Sequence, residues 1–286
     1  MAEVSTKSLR TNDGVNLHCL EVGEGPLVVM IPGWSQTAEQ FRFQLDGLGK
    51  NYRCIAVDMR GHGESDKVDF GYKIQRLAKD LYEVLEDLDL NDVALLGHSM
   101  GCSVIWCYWD LFLNHRLSRL IFVDQMPFMC ANPTWSEGEL ETSGAHRGPT
   151  EIMDRFNMLS GPTGEAMTSD MIGGMLTSGV SSETRDWIVD CNRRLPRVQA
   201  AHLYFNHLVQ DWRDVISRID LPTLIVGGKA SQVSWKSQEW IHTQIEGSRL
   251  EIFEEEEGGG HFMFIENPSK FNHVVLDFLR ETEEGC

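Results

Sequence analysis

The sequence lacks the features that mark secreted, membrane-spanning and nucleic-acid-binding proteins. Its longest apolar run, residues 26–34, is far shorter than the roughly 20 residues that a spanning helix needs. The first ten residues carry Glu3, Lys7 and Arg10 and no apolar signal-peptide core. Lys and Arg number 25 against 43 Asp and Glu, which gives a net charge of −18. Because phosphate groups repel such a chain, we expect it to bind neither nucleic acid nor membranes. Because no signal peptide is visible, we expect a cytoplasmic protein.

Cysteine and metal-binding patterns are also missing. The 7 cysteines are an odd number, and no two of them are spaced as Cys-x-x-Cys. We therefore expect neither a disulfide scaffold nor a thiolate zinc site. His202 and His207 are spaced poorly for one helical face, and no Gly-x-x-x-x-Gly-Lys-Ser/Thr phosphate loop occurs. The sequence thus predicts no metal and no organic cofactor.

What the sequence does contain is an alternation of strand and helix patterns. A hairpin is predicted over residues 8–22, with its turn at residues 12–14. Helical spacing of apolar residues occurs over residues 77–88 and 104–112. Short apolar runs typical of buried strands occupy residues 27–31, 54–57, 93–96, 120–123, 223–226 and 250–253. This order is typical of an α/β fold with a mostly parallel sheet.

One long segment interrupts the alternation. Residues 127–220 contain helical patterns and no convincing strand. We interpret this segment as a helical cap inserted between two strands. The predicted organisation is a core formed by residues 1–126 and 221–286, with the cap at residues 127–220.

The clearest chemical motif is residues 97–101, Gly-His-Ser-Met-Gly, which fits Gly-x-Ser-x-Gly. The motif follows a predicted strand and precedes a predicted helix, the context of a nucleophile elbow. Glycine is needed on both sides because the strand and the helix pass close together at so sharp a turn. The start of the helix also places backbone N–H groups beside the serine. Ser99 is therefore the predicted nucleophile.

A serine nucleophile needs a base and a carboxylate that orients the base. His261 follows three glycines after the last predicted strand, where sites of α/β proteins lie. Asp124 stands directly after the strand at residues 120–123, whereas no acid occurs between residue 226 and Glu239. Asp58 also follows a strand but opens a turn-like segment, which we interpret as structural. Ser99, Asp124 and His261 are the predicted catalytic residues.

An oxyanion hole is predicted from two backbone groups. Residues 32–35, Pro-Gly-Trp-Ser, follow the first core strand directly. The N–H groups of Trp34 and Met100 could then converge on the oxygen of a tetrahedral intermediate.

Taken together, these motifs resemble those of the α/β-hydrolase fold superfamily. The resemblance implies an eight-stranded sheet with a helical cap after strand six, Ser99 as nucleophile, His261 as base, and Trp34 and Met100 as oxyanion donors. Two departures stand out. Pro32-Gly33 replaces the usual His-Gly, and the usual acid after strand seven is missing, with Ser231 near its place. Some members carry the acid after strand six, which suits Asp124.

The predicted function is hydrolysis of an ester, lactone or related acyl bond in a small apolar molecule. The predicted substrate contacts are Ser35, Phe128, Trp187, His202 and Phe262. Two other functions stay open. The Pro-Gly-Trp loop and the acid after strand six also resemble cofactor-independent quinolone dioxygenases, in which a His–Asp pair deprotonates a hydroxy-heteroaromatic substrate. A ligand-binding receptor on a hydrolase scaffold is the third possibility. The sequence does not indicate an oligomeric state.

Overall fold

A single sheet of eight strands forms the centre of the structure, a computed structural model that describes residues 4–283. The strands are β1 Ser5–Arg10, β2 Asn16–Val22, β3 Leu27–Ile31, β4 Arg53–Asp58, β5 Val93–His98, β6 Leu117–Val123, β7 Thr223–Gly228 and β8 Arg249–Phe253. Their spatial order is β1-β2-β4-β3-β5-β6-β7-β8. β1 and β2 pair antiparallel, as do β2 and β4, and all other pairs are parallel. The predicted α/β-hydrolase architecture is confirmed.

The strand order places the candidate site. The chain passes from β3 to β4 on one side and then returns to β5 on the other side of β3. Ligands of open α/β sheets bind at such a switch point, beyond the carboxyl ends of the strands. The loops that follow β3, β5 and β6 all leave the sheet at this edge.

Twelve α-helices accompany the sheet within the described residues. They are α1 Arg42–Leu48, α2 Ile74–Asp87, α3 Met100–Phe112, α4 Glu137–Ser143, α5 Pro149–Ser160, α6 Gly164–Gly173, α7 Ser182–Arg193, α8 Arg197–Leu208, α9 Arg213–Ile216, α10 Trp235–Gln244, α11 Met263–Glu266 and α12 Pro268–Glu283. Two 3-10 helices, Ala38–Phe41 and Glu255–Glu257, complete the set. Six of the α-helices, α4 to α9, lie between β6 and β7. Residues 127–220, which contain them, are called the inserted segment below.

The sheet separates two apolar cores. Alternate residues of a strand point to opposite faces. Accordingly Val29 belongs to the core beneath α2 and α3, whereas Val28 and Met30 belong to the core beneath α1 and α12. Both faces of the central strands are covered, which is why these strands read as continuous apolar runs.

The structure extends several predicted strands. β6 begins at Leu117. The predicted start was residue 120, because Ser118 and Arg119 interrupt the apolar pattern. Arg119 still belongs to the sheet, and its Nε donates to Thr282 Oγ1 at 2.6 Å. The six cysteines described are free, and Cys286 lies outside the described residues. No helix within residues 4–283 is long and apolar enough to cross a membrane.

Candidate active site

Ser99 occupies a strained turn between β5 and α3. Its backbone has φ 53° and ψ −124°, a conformation that costs a non-glycine residue about 1–3 kcal/mol. The flanking glycines permit this turn. A Cβ on Gly97 would lie 2.6 Å from the carbonyl carbon of Gly101, and a Cβ on Gly101 would lie 2.2 Å from Ile31 O. Neither position has room for a side chain, so the motif's glycines follow from the packing of α3 against β3 and β5.

His261 and Asp124 form a short hydrogen-bonded pair. Asp124 is the first residue after β6, has φ 54° and is fully buried. Its Oδ2 lies 2.6 Å from His261 Nδ1 and also accepts a hydrogen bond from Ser231 Oγ at 2.5 Å. Burial raises the pKa of the Asp124 carboxyl, while the hydrogen bonds from His261 and Ser231 oppose this effect and favour the carboxylate.

The loop after β3 lies directly against the serine. A Cβ on Gly33 would lie 2.9 Å from Ser99 Cβ, so only glycine allows this approach. Gly33 N donates to Gln36 Oε1 at 2.9 Å, which fixes the loop. Within residues 4–283, the backbone N–H groups of Trp34 and Met100 have no protein acceptor. Met100 begins α3, where backbone N–H groups lack partners inside the helix. Both groups are free to bind an oxygen atom beside Ser99.

Ser99 and His261 line one small enclosed cavity, called the inner cavity below, with a volume of about 40 Å³. The core contributes five lining residues, which are Trp34, Gln36, Ser99, Gln232 and His261. The inserted segment contributes seven, which are Met129, Arg147, Met171, Ile172, Met175, Tyr204 and His207. Ligand pockets of drug size measure about 300–1,000 Å³, so a substrate must displace some of these side chains. The three methionines are flexible enough to move.

Backbone carbonyls of the inserted segment hold the site loops in place. Trp34 Nε1 donates to Ala200 O at 2.8 Å, and Ser35 Oγ donates to Asn192 O at 2.5 Å. The backbone N–H of His261 donates to the carbonyl oxygen of Met175 at 3.0 Å. The inserted segment therefore holds the loop after β3 and His261 in place as well as covering them.

A wide groove on the surface meets the inner cavity. This outer groove has a volume of about 730 Å³ and is lined mainly by α5 and α6. Arg147, Met171 and Gln232 line both the outer groove and the inner cavity. These three side chains form the boundary between the surface and Ser99.

The structure corrects the predicted substrate contacts, because none of the five residues lines the inner cavity. Ser35 is fully buried, and its hydroxyl is occupied by Asn192 O. Phe262 is also fully buried, and its ring packs against His98 and Phe264 in the core.

The remaining three residues lie elsewhere on the inserted segment. Trp187 Nε1 donates to Glu39 Oε1 at 3.0 Å. His202 is exposed and its ring packs against Phe156. Phe128 packs against another aromatic ring of the segment. An apolar or aromatic residue on a short helix can face the core, the solvent or the cavity, and composition does not distinguish these faces.

Sequence reasoning did not single out Arg147, His207 or the three cavity methionines as substrate contacts. Arg147 stands in a loop without periodicity, so no pattern marked it. His207 is fully buried on α8, and burial lowers its pKa to about 3, which leaves it neutral at pH 7. The structural interpretation of Asp58 agrees with the geometry. Asp58 accepts hydrogen bonds from the backbone N–H groups of Ala38 and Glu64 and does not line the inner cavity. His98 is also buried, and its Nδ1 lies 2.8 Å from Gln36 Oε1.

Residues 4–283 contain no group of three or more His, Cys, Asp or Glu side chains that could hold a metal ion. At the inner cavity the structure brings together a serine and a histidine that is hydrogen-bonded to an aspartate.

Comparison with known proteins agrees with this geometry. The Alpha/beta hydrolase family matches residues 28–274, and the chain belongs to this family. The non-heme chloroperoxidase CPO-A1 of Kitasatospora aureofaciens is 28% identical over 95% of this chain and 98% of its own length. The esterase EaEST of Exiguobacterium antarcticum is 26% identical, with a TM-score of 0.86 over 96% of this chain and 99% of that one. A bromoperoxidase of Bacillus anthracis is 23% identical, with a TM-score of 0.87 over 96% and 100%, respectively.

Proposed function

We propose that the protein is a serine hydrolase that cleaves an ester, lactone or related acyl bond of a small molecule. The observation that carries this proposal is the His261–Asp124 hydrogen bond of 2.6 Å beside a strained Ser99 on the same cavity. A buried carboxylate orients the imidazole and stabilises its charged form, which is what a serine nucleophile requires. The similarity to the Exiguobacterium esterase supports the same class of reaction.

In the proposed reaction His261 acts first as a base and then as an acid in each half-reaction. Ser99 Oγ attacks the acyl carbon while His261 Nε2 takes its proton. The N–H groups of Trp34 and Met100 bind the negative oxygen of the tetrahedral intermediate. His261 then protonates the leaving alcohol, and an acyl-enzyme remains on Ser99. Water attacks this ester while His261 takes its proton. As the second intermediate collapses, His261 returns the proton to Ser99 Oγ, which releases the acid and restores both residues.

We also propose that the inserted segment acts as the cap that selects the substrate. It supplies seven of the twelve residues around the inner cavity. Its helices α5 and α6 line much of the outer groove, through which a substrate would enter. The mostly apolar lining of the inner cavity favours a small, largely apolar acyl or alcohol group.

Intact-mass analysis after reaction with a fluorophosphonate tests the proposal. The wild type is expected to gain one adduct, and Ser99→Ala none. Ser103→Ala is the matched control, because Ser103 is buried one turn further along α3 and its Oγ has no hydrogen-bond partner within the described residues. This variant should label like the wild type. A wild type that does not label, or a Ser99→Ala variant that still labels, contradicts the proposal.

Turnover distinguishes the proposed reaction from the alternatives on the same scaffold. A hydrolase should release acid from simple esters over many cycles, and Ser99→Ala should not. Oxygen uptake with a hydroxy-heteroaromatic substrate, retained in Ser99→Ala, would instead identify a cofactor-independent dioxygenase. Saturable binding without repeated turnover would identify a receptor.

A further inference from the structure

Arg147 is a buried cation without a hydrogen-bonded partner. The residue is 8% exposed and lines the inner cavity together with Ser99 and His261. Within residues 4–283, none of its guanidinium N–H groups donates a hydrogen bond to a protein acceptor, and its Nε is completely buried. The one carboxylate within 4 Å is Glu151, whose Oε1 lies 3.5 Å from Nε. Burying a charge this way is unfavourable unless another group completes the site.

Arg60, the other buried arginine of the described residues, is hydrogen-bonded to two carboxylates, and only its Nη1 lacks a partner. The Arg60 side chain is buried, and its Nε and Nη2 donate to both carboxylate oxygens of Asp80 at 2.6 and 2.7 Å. Asp13 accepts two further bonds from Arg60 at 3.0 and 3.1 Å. Arg197 donates to Thr168 Oγ1 and to backbone carbonyls. Arg147 differs from Arg60 and Arg197 because its side chain donates no hydrogen bond to any described residue.

Glu151 does not neutralise Arg147 in the way that Asp80 neutralises Arg60. The Glu151 side chain is 45% exposed, and its Oε1 accepts a hydrogen bond from Arg155 Nε at 2.9 Å. Solvent screens a carboxylate at such a position. Glu151 also lines the outer groove but not the inner cavity.

The inner cavity presents positive charge and no negative charge of its own. Among the described residues, no Asp or Glu lines the inner cavity. Asp124 contacts His261 but does not itself line the cavity. His207 contributes a neutral imidazole, and Gln232 and Gln36 contribute amides. A carboxylate of a ligand would be the group that Arg147 lacks, because the planar guanidinium binds a carboxylate with two parallel hydrogen bonds.

We propose that Arg147 binds a carboxylate of the substrate, so that the enzyme prefers small esters or lactones that carry an acid group near the bond to be cleaved. This inference rests on the proposed hydrolase function and names its substrate class. Arg147, Met171 and Gln232 separate the outer groove from the inner cavity, so a substrate arriving from the groove meets the guanidinium before it reaches Ser99. Arg147 selects the substrate and takes no part in proton transfer.

Two matched ester pairs test the inference. Monomethyl glutarate and methyl pentanoate differ by a carboxylate on the acyl side, and 4-acetoxybutanoate and butyl acetate differ by one on the alcohol side. The wild type is expected to prefer the charged member of at least one pair by roughly 10- to 100-fold in kcat/KM, the range of a hydrogen-bonded charge. Arg147→Gln should remove this preference, because kcat/KM should fall for the charged esters by more than it does for the neutral ones. Arg147→Lys, which keeps the charge, should retain part of it.

Arg155→Gln is the matched control, because Arg155 contacts the same Glu151 but lines the outer groove and not the inner cavity. This variant should keep the wild-type preference. A wild type that favours neither charged ester, or an Arg147→Gln variant that keeps the preference, overturns the inference.

Fluorophosphonate labelling separates this inference from the proposed function. If Ser99 of the wild type does not label, the hydrolase proposal fails. If Ser99 labels in all variants but charge makes no difference, only the assignment to Arg147 fails. If none of the esters turns over, protection of Ser99 from fluorophosphonate labelling is measured instead. Pentanoate must slow the labelling of the wild type and of Arg155→Gln more than pentanamide does. In Arg147→Gln the two compounds must slow labelling equally.

Discussion

Ser231 donates its hydroxyl hydrogen to Asp124 Oδ2, the same oxygen that contacts His261 Nδ1. The two residues lie on neighbouring loops, after β7 and β6. The resemblance to the superfamily places the acid of most members after β7, near Ser231. Here Ser231 donates a hydrogen bond to a carboxylate on the adjacent loop. The loop after β7 offers no carboxylate. His261 is instead oriented by Asp124, which Ser231 holds in place through its hydrogen bond.

The first prediction concerns this relocated acid. Asp124→Asn is expected to lower kcat for ester hydrolysis by about 10⁴, since the amide would favour the wrong imidazole tautomer. Ser231→Ala removes one hydrogen bond to a charged group and should cost roughly tenfold. Steady-state kinetics on one ester measures both effects.

The double variant Asp124→Asn, Ser231→Asp provides the converse test. A carboxylate at residue 231 should reach His261 from the neighbouring loop and restore at least a tenth of the activity lost in Asp124→Asn. An Asp124→Asn variant with nearly wild-type kcat would contradict the role given to this residue.

The second prediction concerns the loop after β3. In Gly33→Ala the new methyl group would collide with Ser99 Cβ, 2.9 Å away, and with the Gln36 side chain. The loop must shift, and displacing an oxyanion donor or nucleophile by up to 1 Å costs about 100-fold in kcat. Gly148→Ala is the control, because no atom lies within 4 Å of its added Cβ. Equal kinetics for the two variants would argue against the close approach.

The third prediction concerns the boundary between groove and cavity. Met171 lines both, so Met171→Ala should enlarge the inner cavity and the passage to it. We expect kcat/KM for hexanoate esters to rise about tenfold relative to acetate esters, because one methylene in an apolar pocket is worth about 1–3 kcal/mol. Met167 lines the outer groove alone, so Met167→Ala should leave the ratio unchanged. An unchanged ratio in Met171→Ala would place the substrate elsewhere.

The fourth prediction concerns stability in acid. His62 Nε2 accepts from Ser35 N at 3.2 Å and its Nδ1 lies 2.9 Å from Arg60 O, an arrangement that suits a neutral ring. Burial lowers the pKa of His62 to about 4 from its ordinary 6.5. Between these values the unfolded chain binds the extra proton, so the free energy of unfolding falls as the pH decreases from about 6.5 to about 4.

Urea unfolding at a series of pH values measures this effect. His62 should contribute a loss of about 3 kcal/mol by pH 4, and His62→Gln should show a correspondingly shallower dependence below pH 6.5. Above that pH the difference between the two proteins should be constant. Parallel curves through the acid range would contradict the prediction.

The elements that the sequence predicted correctly are those decided by local chemistry. The strand at residues 27–31 was predicted to the residue, because it is covered on both faces and has no polar interruption. The elbow was predicted because Gly97 and Gly101 are required by contacts between adjacent elements. Asp124 and His261 were predicted to lie together because each follows a strand at the edge of the sheet where sites lie, and their side chains are in contact.

The residues that the sequence did not predict are those placed by the docking of the inserted segment. Met129, Met171 and Met175 occur among many apolar residues of that segment, and Arg147 in its loop carries no motif. Which of them face Ser99 depends on how six short helices pack over the sheet. Contacts distant in sequence, such as His261 N to Met175 O, decide that packing.

The sequence by itself determined the class of fold, the strained serine and the residues that follow the strands, because strand pattern and turn sterics are local properties of the chain. The tertiary structure alone decided the short His261–Asp124 contact, the support from Ser231, and the isolated Arg147 in the inner cavity. These features depend on distances between loops and helices far apart in the chain, and burial then sets the charge of each group. The proposed substrate preference belongs to the second set, because it depends on neighbours that leave the Arg147 guanidinium without a hydrogen bond.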